Sequence, residues 1–401
     1  MKGNAIVAQT GGPTAVINSS LAGIISQCLK EKNIEQIWGC HFGMKGLLEE
    51  DFIHLEDAPI DTLQHTPGSA LGSSRIKLKT ENMSRVLEIF KKYNIRYFFG
   101  IGGDDTQLNV YEVEKYCKEQ SYELYGTGCP KTVDNDLPLT DHTPGFPSAA
   151  RYTALSVYQG GRLTRDMQNV DQFVIYQTIG RSAGWLAAAP YAFKDKESDP
   201  PHIILIPEIP FVEEKFITYF ESCYKKYGFV SIICGEGVTD ENGNPVSATR
   251  VKDDFGNKEF GAMGGVSVGM EIHKIISRYF PEMRGEFQVT ESLPMCADDR
   301  TVDIDVQEAF LLGKKAVELA ARGESGLMSV IVREAGPEYK IHIDAVPLRD
   351  VGGKQKPIPE RYIAENGMNM TPAFKEYIVP LVGPKPVYAD LETCKKVKKV
   401  D

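Results

Sequence analysis

The chain has 401 residues, a formal net charge of −10, 42% hydrophobic residues and 25% charged residues. A surplus of acid excludes non-specific nucleic-acid binding and a broadly basic membrane surface, while local basic pockets remain compatible with it. The length exceeds the roughly 250–300 residues at which single cores stop growing, so two lobes are expected.

The N-terminal "MKGNAIVAQTGG" has one lysine and an apolar run that breaks at glycine. That run is too short for a signal peptide or a membrane span, and a cytoplasmic protein is expected. The eight cysteines show no C-x-x-C and no zinc spacing, so they read as reduced thiols. Cys223 and Cys234 read as a helix position and a strand position.

In chain order, "NAIVAQ" is a strand that stops at "TGGPT", and "AVINSSLAGIISQCLK" has helical spacing at Val16, Ile17, Leu21, Ile24 and Ile25. A second helix follows in "ENMSRVLEIFKKYN", with Met83, Val86, Leu87 and Phe90 on one face. The strand "IRYFFGIGG" comes next, then a helix from about Gln107 to Lys118. Further strands are "DQFVIYQTIG", "PHIILIP" and "FVSIICGEG". Between and after them lie the helices "EEKFITYFESCYKKYG", with Phe216, Phe220 and Cys223 on one face, "GGVSVGMEIHKIISRYF" and "DVQEAFLLGKKAVELAARG".

This alternation implies an α/β fold with mainly parallel sheets covered by helices on both faces. Ligands then bind at the carboxyl ends of strands, where the glycine turns fall. The three prolines of "DLPLTDHTPGFPSAA" mark a crossing between lobes near residue 145. From about Val351, "VGGKQKPIPERY" reads as a loop leading to a C-terminal extension.

Four turns carry candidate chemistry. In "QTGGPTAVIN", Gly11 and Gly12 follow a strand and precede a helix, which suits a phosphate, although such turns are also common for steric reasons. It matches neither a Walker A nor a dinucleotide fingerprint. In "GIGGDDTQ", Asp104 and Asp105 follow a strand; Thr106 or an aspartate as helix cap is the plain alternative to a hard-cation site.

In "GTGCPKTVDNDLP", Asp134 and Asp136 flank Asn135, with Lys131, Thr132 and Val133 just before. An extended stretch would point both carboxylates the same way, one to accept a proton and one to bind a metal or hydroxyl; an Asx-rich surface turn is the alternative. In "QTIGRSAGWLAA", Ile179, Gly180, Arg181 and Gly184 suit an anionic or sugar ligand, and "LGSSR" and "CGEG" add Arg75 and Glu236. Glycine turns, paired acids and isolated arginines at successive strand ends describe phosphoryl transfer better than hydride or acyl chemistry.

The motifs "GGPTAVIN", "GGDDT", "PKTVDND" and "IGRSAGWLA", in this order, resemble the phosphofructokinases of the A type across roughly residues 4–320. The resemblance implies two Rossmann-like lobes with the active site in the cleft between them, in a homodimer or homotetramer. By it, residues 1–145 form a lobe for diphosphate and Mg²⁺, and 146–294 form a lobe for the sugar phosphate. Residues 295–345 then return to the first lobe, and 346–401 form the extension.

The resemblance also implies roles. Asp104 would ligate Mg²⁺ and Asp134 would be the base. Thr132, Val133, Asp136, Ile179, Gly180, Arg181, Glu236 and Arg284 would hold the sugar, and Gly11, Gly12, Arg75 and Lys131 the phosphoryl donor. ATP-using members have glycine-type residues where Asp105 and Lys131 stand, whereas pyrophosphate-using members have the acid and the lysine. Side chains there fill the space of a nucleotide's α-phosphate, and the ammonium can neutralise a diphosphate leaving group.

The implied reaction is transfer from diphosphate to the 1-hydroxyl of fructose 6-phosphate. One stretch departs from the pattern. "SLPM", residues 292–295, stands where an arginine commonly grips the sugar 6-phosphate, and Gln172 stands where many members place an arginine reaching the neighbouring subunit's site. Arg284 is retained, and Arg300 is a candidate substitute. Another sugar or sugar phosphate as acceptor, such as sedoheptulose 7-phosphate, and an inactive regulatory subunit are the alternatives.

Overall fold

The alternating pattern becomes two sheets in the computed structural model, which describes residues 1–74, 76–247, 267–389, 391 and 394–398. The elements, in order, are β1 (Gly3–Gln9), α1 (Ile17–Cys28), β2 (Ile34–Cys40), α2 (Met44–Glu49), β3 (Phe52–His54), α3 (Ile60–Gln64), α4 (Met83–Lys92), β4 (Ile95–Gly102), α5 (Asp104–Glu119) and β5 (Tyr125–Pro130). They continue with α6 (Phe146–Asp166), β6 (Phe173–Thr178), α7 (Trp185–Ala188), β7 (Ile203–Leu205), α8 (Glu213–Tyr227), β8 (Val230–Gly235), α9 (Val268–Tyr279) and β9 (Gly285–Val289). Last come α10 (Asp303–Ala321), β10 (Leu327–Arg333), β11 (Ile341–Pro347) and α11 (Pro372–Val382).

The first sheet has the order β11-β10-β5-β4-β1-β2-β3 and the second β7-β8-β6-β9. All pairings are parallel except β2 with β3 and β10 with β11. Strands this buried have to be apolar on both faces, and Phe98 and Phe99 of β4, which point to opposite sides, are both fully buried. The expected helical faces are inside: Met83, Val86, Leu87 and Phe90 on α4, and Phe216, Phe220 and Cys223 on α8.

Residues from beyond the second sheet join the first. β10 pairs in parallel with β5, and α10 lies against α1 at very close range. A Cβ on Gly23 of α1 would stand 2.1 Å from the Phe310 carbonyl oxygen, and one on Gly313 of α10 would stand 2.1 Å from that of Ser20. Only glycines permit that approach. Helix α11 buries Phe374, Ile378 and Leu381 in a cluster that also holds Trp185 and Phe146. At roughly 1.5–3 kcal/mol per fully buried large side chain, these contacts anchor the C-terminal segment.

One local expectation differs from what forms, and one open alternative is decided. Helix α5 starts at Asp104 rather than near Gln107, so both aspartates occupy its first turn, and Gly103 is the residue before it. Neither an aspartate nor Thr106 caps it. Carboxylates in a first turn are favoured by the helix dipole, which makes the earlier start affordable for two adjacent acids. The stretch around Asp134 is a turn, not an extended run, because Asn135 adopts a left-handed φ of 54°. Asparagine tolerates that conformation better than most residues.

Candidate active site

Turns after β1, β4, β5, β6 and β8 open into one cleft of about 570 Å³, placed at the carboxyl ends of strands from both sheets. Gly11, Gly12, Asp104, Asp105, Lys131, Thr132, Val133, Asp134, Asp136, Ile179, Arg181 and Glu236 all line it. Residues far apart in sequence therefore share one cavity, the arrangement open α/β sheets favour.

At the end lined by the first sheet, Gly11 has a φ of 77°, a left-handed conformation that suits glycine. Its carbonyl accepts from the Ser73 hydroxyl at 2.6 Å, which fixes the turn. The Lys131 ammonium donates to the Gly12 carbonyl at 2.6 Å, and Lys131 is only 3% exposed. Burial lowers the lysine's pKa to about 8, against the opposing pull of the Asp134 and Asp136 carboxylates. Asp105 forms an ion pair with Lys77 at 2.8 Å. Burial and the neighbouring Asp105 charge raise the Asp104 carboxyl above its usual range.

The loop after β5 is tightly held. The Lys131 amide donates to Gly102 O at 3.0 Å, the Thr143 hydroxyl donates to Thr132 O at 2.7 Å, and the Asp134 amide donates to the Thr132 hydroxyl oxygen at 3.1 Å. One Asp134 carboxylate oxygen is buried with no hydrogen-bond partner among the described residues. Burial, then the Asp136 and Glu236 charges, push Asp134 well above the ordinary carboxylate range. Asp136 is raised as well, by burial and by Asp104. A buried carboxyl with a raised pKa and an open oxygen is suited to accept a proton from a bound hydroxyl.

At the other end, Glu236 accepts from the Gly180 amide at 3.4 Å and lies 4.0 Å from the Arg181 guanidinium. Burial raises its pKa while Arg181 opposes the shift. Together they present a carboxylate acceptor and a cation to the cavity, the pair a hydroxylated anion requires.

Other sequence candidates lie elsewhere. Arg75 falls outside the described residues. Arg284 does not line the cleft: its side chain is 74% exposed, 3.7 Å from Asp171, and its backbone exchanges hydrogen bonds with Gln172. Arg300 is also outside, stacked on Tyr152 and donating to the Ser156 hydroxyl at 2.8 Å. Of "SLPM", Ser292 and Met295 line the cleft, and the Met295 methyl sits over Gly12.

The sequence signals no binding role for several lining residues, Thr106 reading there only as a candidate helix cap. Thr10 and Thr106 touch hydroxyl to hydroxyl at the floor, Lys77 pairs with Asp105, and Gln355 arrives from the C-terminal segment. Thr10 adjoins the glycine turn and was within reach of local reasoning. Gln355 carries no local signal.

Among the described residues, no three His, Cys, Asp or Glu side chains converge closely enough to hold a metal ion alone. The cleft instead offers carboxylate oxygens, with Asp104 lining it beside a second acid, Asp105. That fits Mg²⁺, which takes one or two carboxylates and completes its shell with substrate phosphate and water. No described helix is long and apolar enough to cross a membrane.

Comparison with known proteins agrees with this geometry. The chain is 35% identical to the pyrophosphate–fructose 6-phosphate 1-phosphotransferase of Halomonas elongata, covering 94% of this chain and 91% of that one. It is 30% identical to a sulfofructose kinase of Alkalicoccus urumqiensis, covering 95% and 96%. The crystal structure of a pyrophosphate-dependent phosphofructokinase from Marinobacter aquaeolei superposes with a TM-score of 0.86 at 34% identity, over 97% of this chain and 94% of that one. The family model described as phosphofructokinase matches residues 4–319, and the chain belongs to that family.

Proposed function

We propose that this enzyme transfers a phosphoryl group from inorganic diphosphate to the 1-hydroxyl of fructose 6-phosphate, reversibly, giving fructose 1,6-bisphosphate and phosphate. The observation that carries this is Lys131, whose buried ammonium donates to the Gly12 carbonyl and feels the Asp134 and Asp136 charges. A nucleotide's α-phosphate would have to occupy the space that this side chain and Asp105 fill. Relatives over nearly the full length bear the name of this reaction.

In this mechanism Asp134 takes the proton from the attacking hydroxyl at its unpartnered oxygen. The sugar oxygen bonds to the terminal phosphorus as the bridging P–O bond breaks, and phosphate leaves toward Lys131. The ammonium offsets the charge that develops there. Thr132 and Asp136 hold the loop and the acceptor, and Ile179, Gly180, Arg181 and Glu236 grip the sugar. Asp104 would hold Mg²⁺, which neutralises phosphate charge when bound. Gly11 and Gly12 let the donor approach the backbone.

We assign residues 1–145 and 146–294 to the two lobes, 295–345 to the return and 346–401 to the extension. Arg284 lies exposed beside Gln172, and we propose a homo-oligomer, as the resemblance implies, in which it serves a neighbouring copy's cleft.

The acceptor's far end favours a second possibility. Ser292 and Met295 bring no cation to the cleft, and one relative bears the name of a kinase for a sulfonated fructose. Turnover of fructose 6-phosphate against other anionic ketoses, with phosphate release as readout, decides this. Preference for fructose 6-phosphate supports the main assignment, and preference for another ketose overturns it.

A further inference from the structure

The C-terminal segment reaches both lobes' reactive loops. The Lys356 amide donates to Asp136 O at 2.6 Å, and the Lys356 carbonyl accepts from Trp185 Nε1 at 3.1 Å. The Lys356 ammonium donates to Thr140 O and Asp141 O, each at 3.0 Å, and approaches Asn135 Oδ1 at 3.4 Å. Two residues on, the Ile358 amide donates to Glu208 at 2.9 Å, the same carboxylate that accepts from the Gly184 amide at 3.0 Å. Residues 356–358 thus strap the loop after β5 to the loop after β6.

Asn135 is where the strap meets the chemistry. It is fully buried and left-handed, between the two aspartates. Its side-chain amide donates to the Tyr377 hydroxyl oxygen at 3.0 Å, and Tyr377 donates onward to Asp141 O at 3.0 Å. Arg333 closes the group, donating to Tyr377 O at 3.0 Å and to the Asp141 carboxylate at 2.9 Å. The backbone on either side of Asn135 aims the Asp134 and Asp136 side chains, so whatever fixes its side chain fixes their direction.

We propose that Lys356 and Tyr377 are positioning residues for catalysis, Tyr377 acting through Asn135 and Lys356 through Asn135 and the Asp136 carbonyl, to hold Asp134 and Asp136 at the angle the reaction needs. This rests on Asp134 being the base. Neither residue touches the cleft. A displacement of about 1 Å in a reacting group can cost on the order of 10²-fold in rate without altering what binds.

The test is Tyr377→Phe, which deletes one oxygen from a buried ring and keeps the packing. Expected is a fall in kcat of about tenfold with the KM for diphosphate changed by less than about twofold. Asn135→Gly retains access to the left-handed φ but cuts the link, so adding Tyr377→Phe to it should cost almost nothing more. Amide exchange across residues 132–137 should accelerate in Tyr377→Phe regardless of acceptor. An unchanged kcat, or a full additional loss in the double variant, overturns the proposal. Should wild-type enzyme show no diphosphate-dependent turnover, the assigned reaction fails instead, and unchanged exchange in Tyr377→Phe would separately sink the strap. Lys356→Met provides a second entry to the same group and should give the same split between kcat and KM.

Discussion

The Lys131 ammonium donates to the Gly12 carbonyl oxygen at 2.6 Å, joining the loop after β5 to the glycine turn after β1. That bond closes the turn, and in the proposed mechanism the same cation faces the donor's leaving phosphate. Replacing it with methionine should reduce kcat/KM for diphosphate by roughly 10²-fold, the scale of losing one preorganised charge partner. The acceptor's KM should move by less than about threefold. Steady-state kinetics with each substrate varied in turn checks this, and equal losses on both sides would remove Lys131 from the donor end.

Asp134 and Lys131 together set the pH dependence. The base must be ionised, and burial beside Asp136 and Glu236 raises its pKa, so activity should fall on the acid side well above the ~4 of a solvated aspartate. The lysine must be charged, and with its pKa lowered to about 8, activity should also fall above that value. Asp134→Ala should cost roughly 10²–10⁴-fold in turnover. Lys131→Arg should push the basic limb upward. A profile flat from pH 6 to 9, roughly the span these shifts imply, would contradict both assignments.

Asp104 lines the cleft beside a second carboxylate, Asp105. Asp104→Asn should raise the Mg²⁺ concentration needed for half-maximal rate by about tenfold or more, since one of the few carboxylates a hard cation uses is lost. Titration of rate against Mg²⁺ measures it. Asp105→Asn, which breaks the exposed pair with Lys77, should shift that midpoint far less.

The α1–α10 contact depends on Gly23, where a Cβ would stand 2.1 Å from Phe310 O. Gly23→Ala has no flexible neighbour to displace. It should destabilise the chain by roughly 1–3 kcal/mol, as overpacking does, with a lowered Tm in calorimetry. Gly160→Ala, which meets nothing within 4 Å, should not lower it and serves as the control.

Much of this was legible in the chain itself because the signals are local. Strand ends followed by glycine and paired acids mark a cleft in any parallel α/β sheet, and the helical faces of α4 and α8 declare themselves by spacing. Helix α5 starts earlier than its apolar spacing predicts, because acids after glycine read as a turn until the helix dipole is counted. The sequence leaves an extended stretch and an Asx turn both open at Asp134, because extended and left-handed asparagine leave the same letters, and the turn is the one that forms. Lys356 and Tyr377 reach Asn135 across more than two hundred residues of separation, and periodicity carries nothing over that distance.

The most direct measurement compares diphosphate with ATP as phosphoryl donor to fructose 6-phosphate, using the purified chain with Mg²⁺. The roles proposed for Lys131 and Asp105 require kcat/KM to favour diphosphate by at least about 10²-fold, the scale of one well-placed charge. Equal or greater turnover with ATP would contradict the role given to Lys131 and with it the function proposed for this cleft.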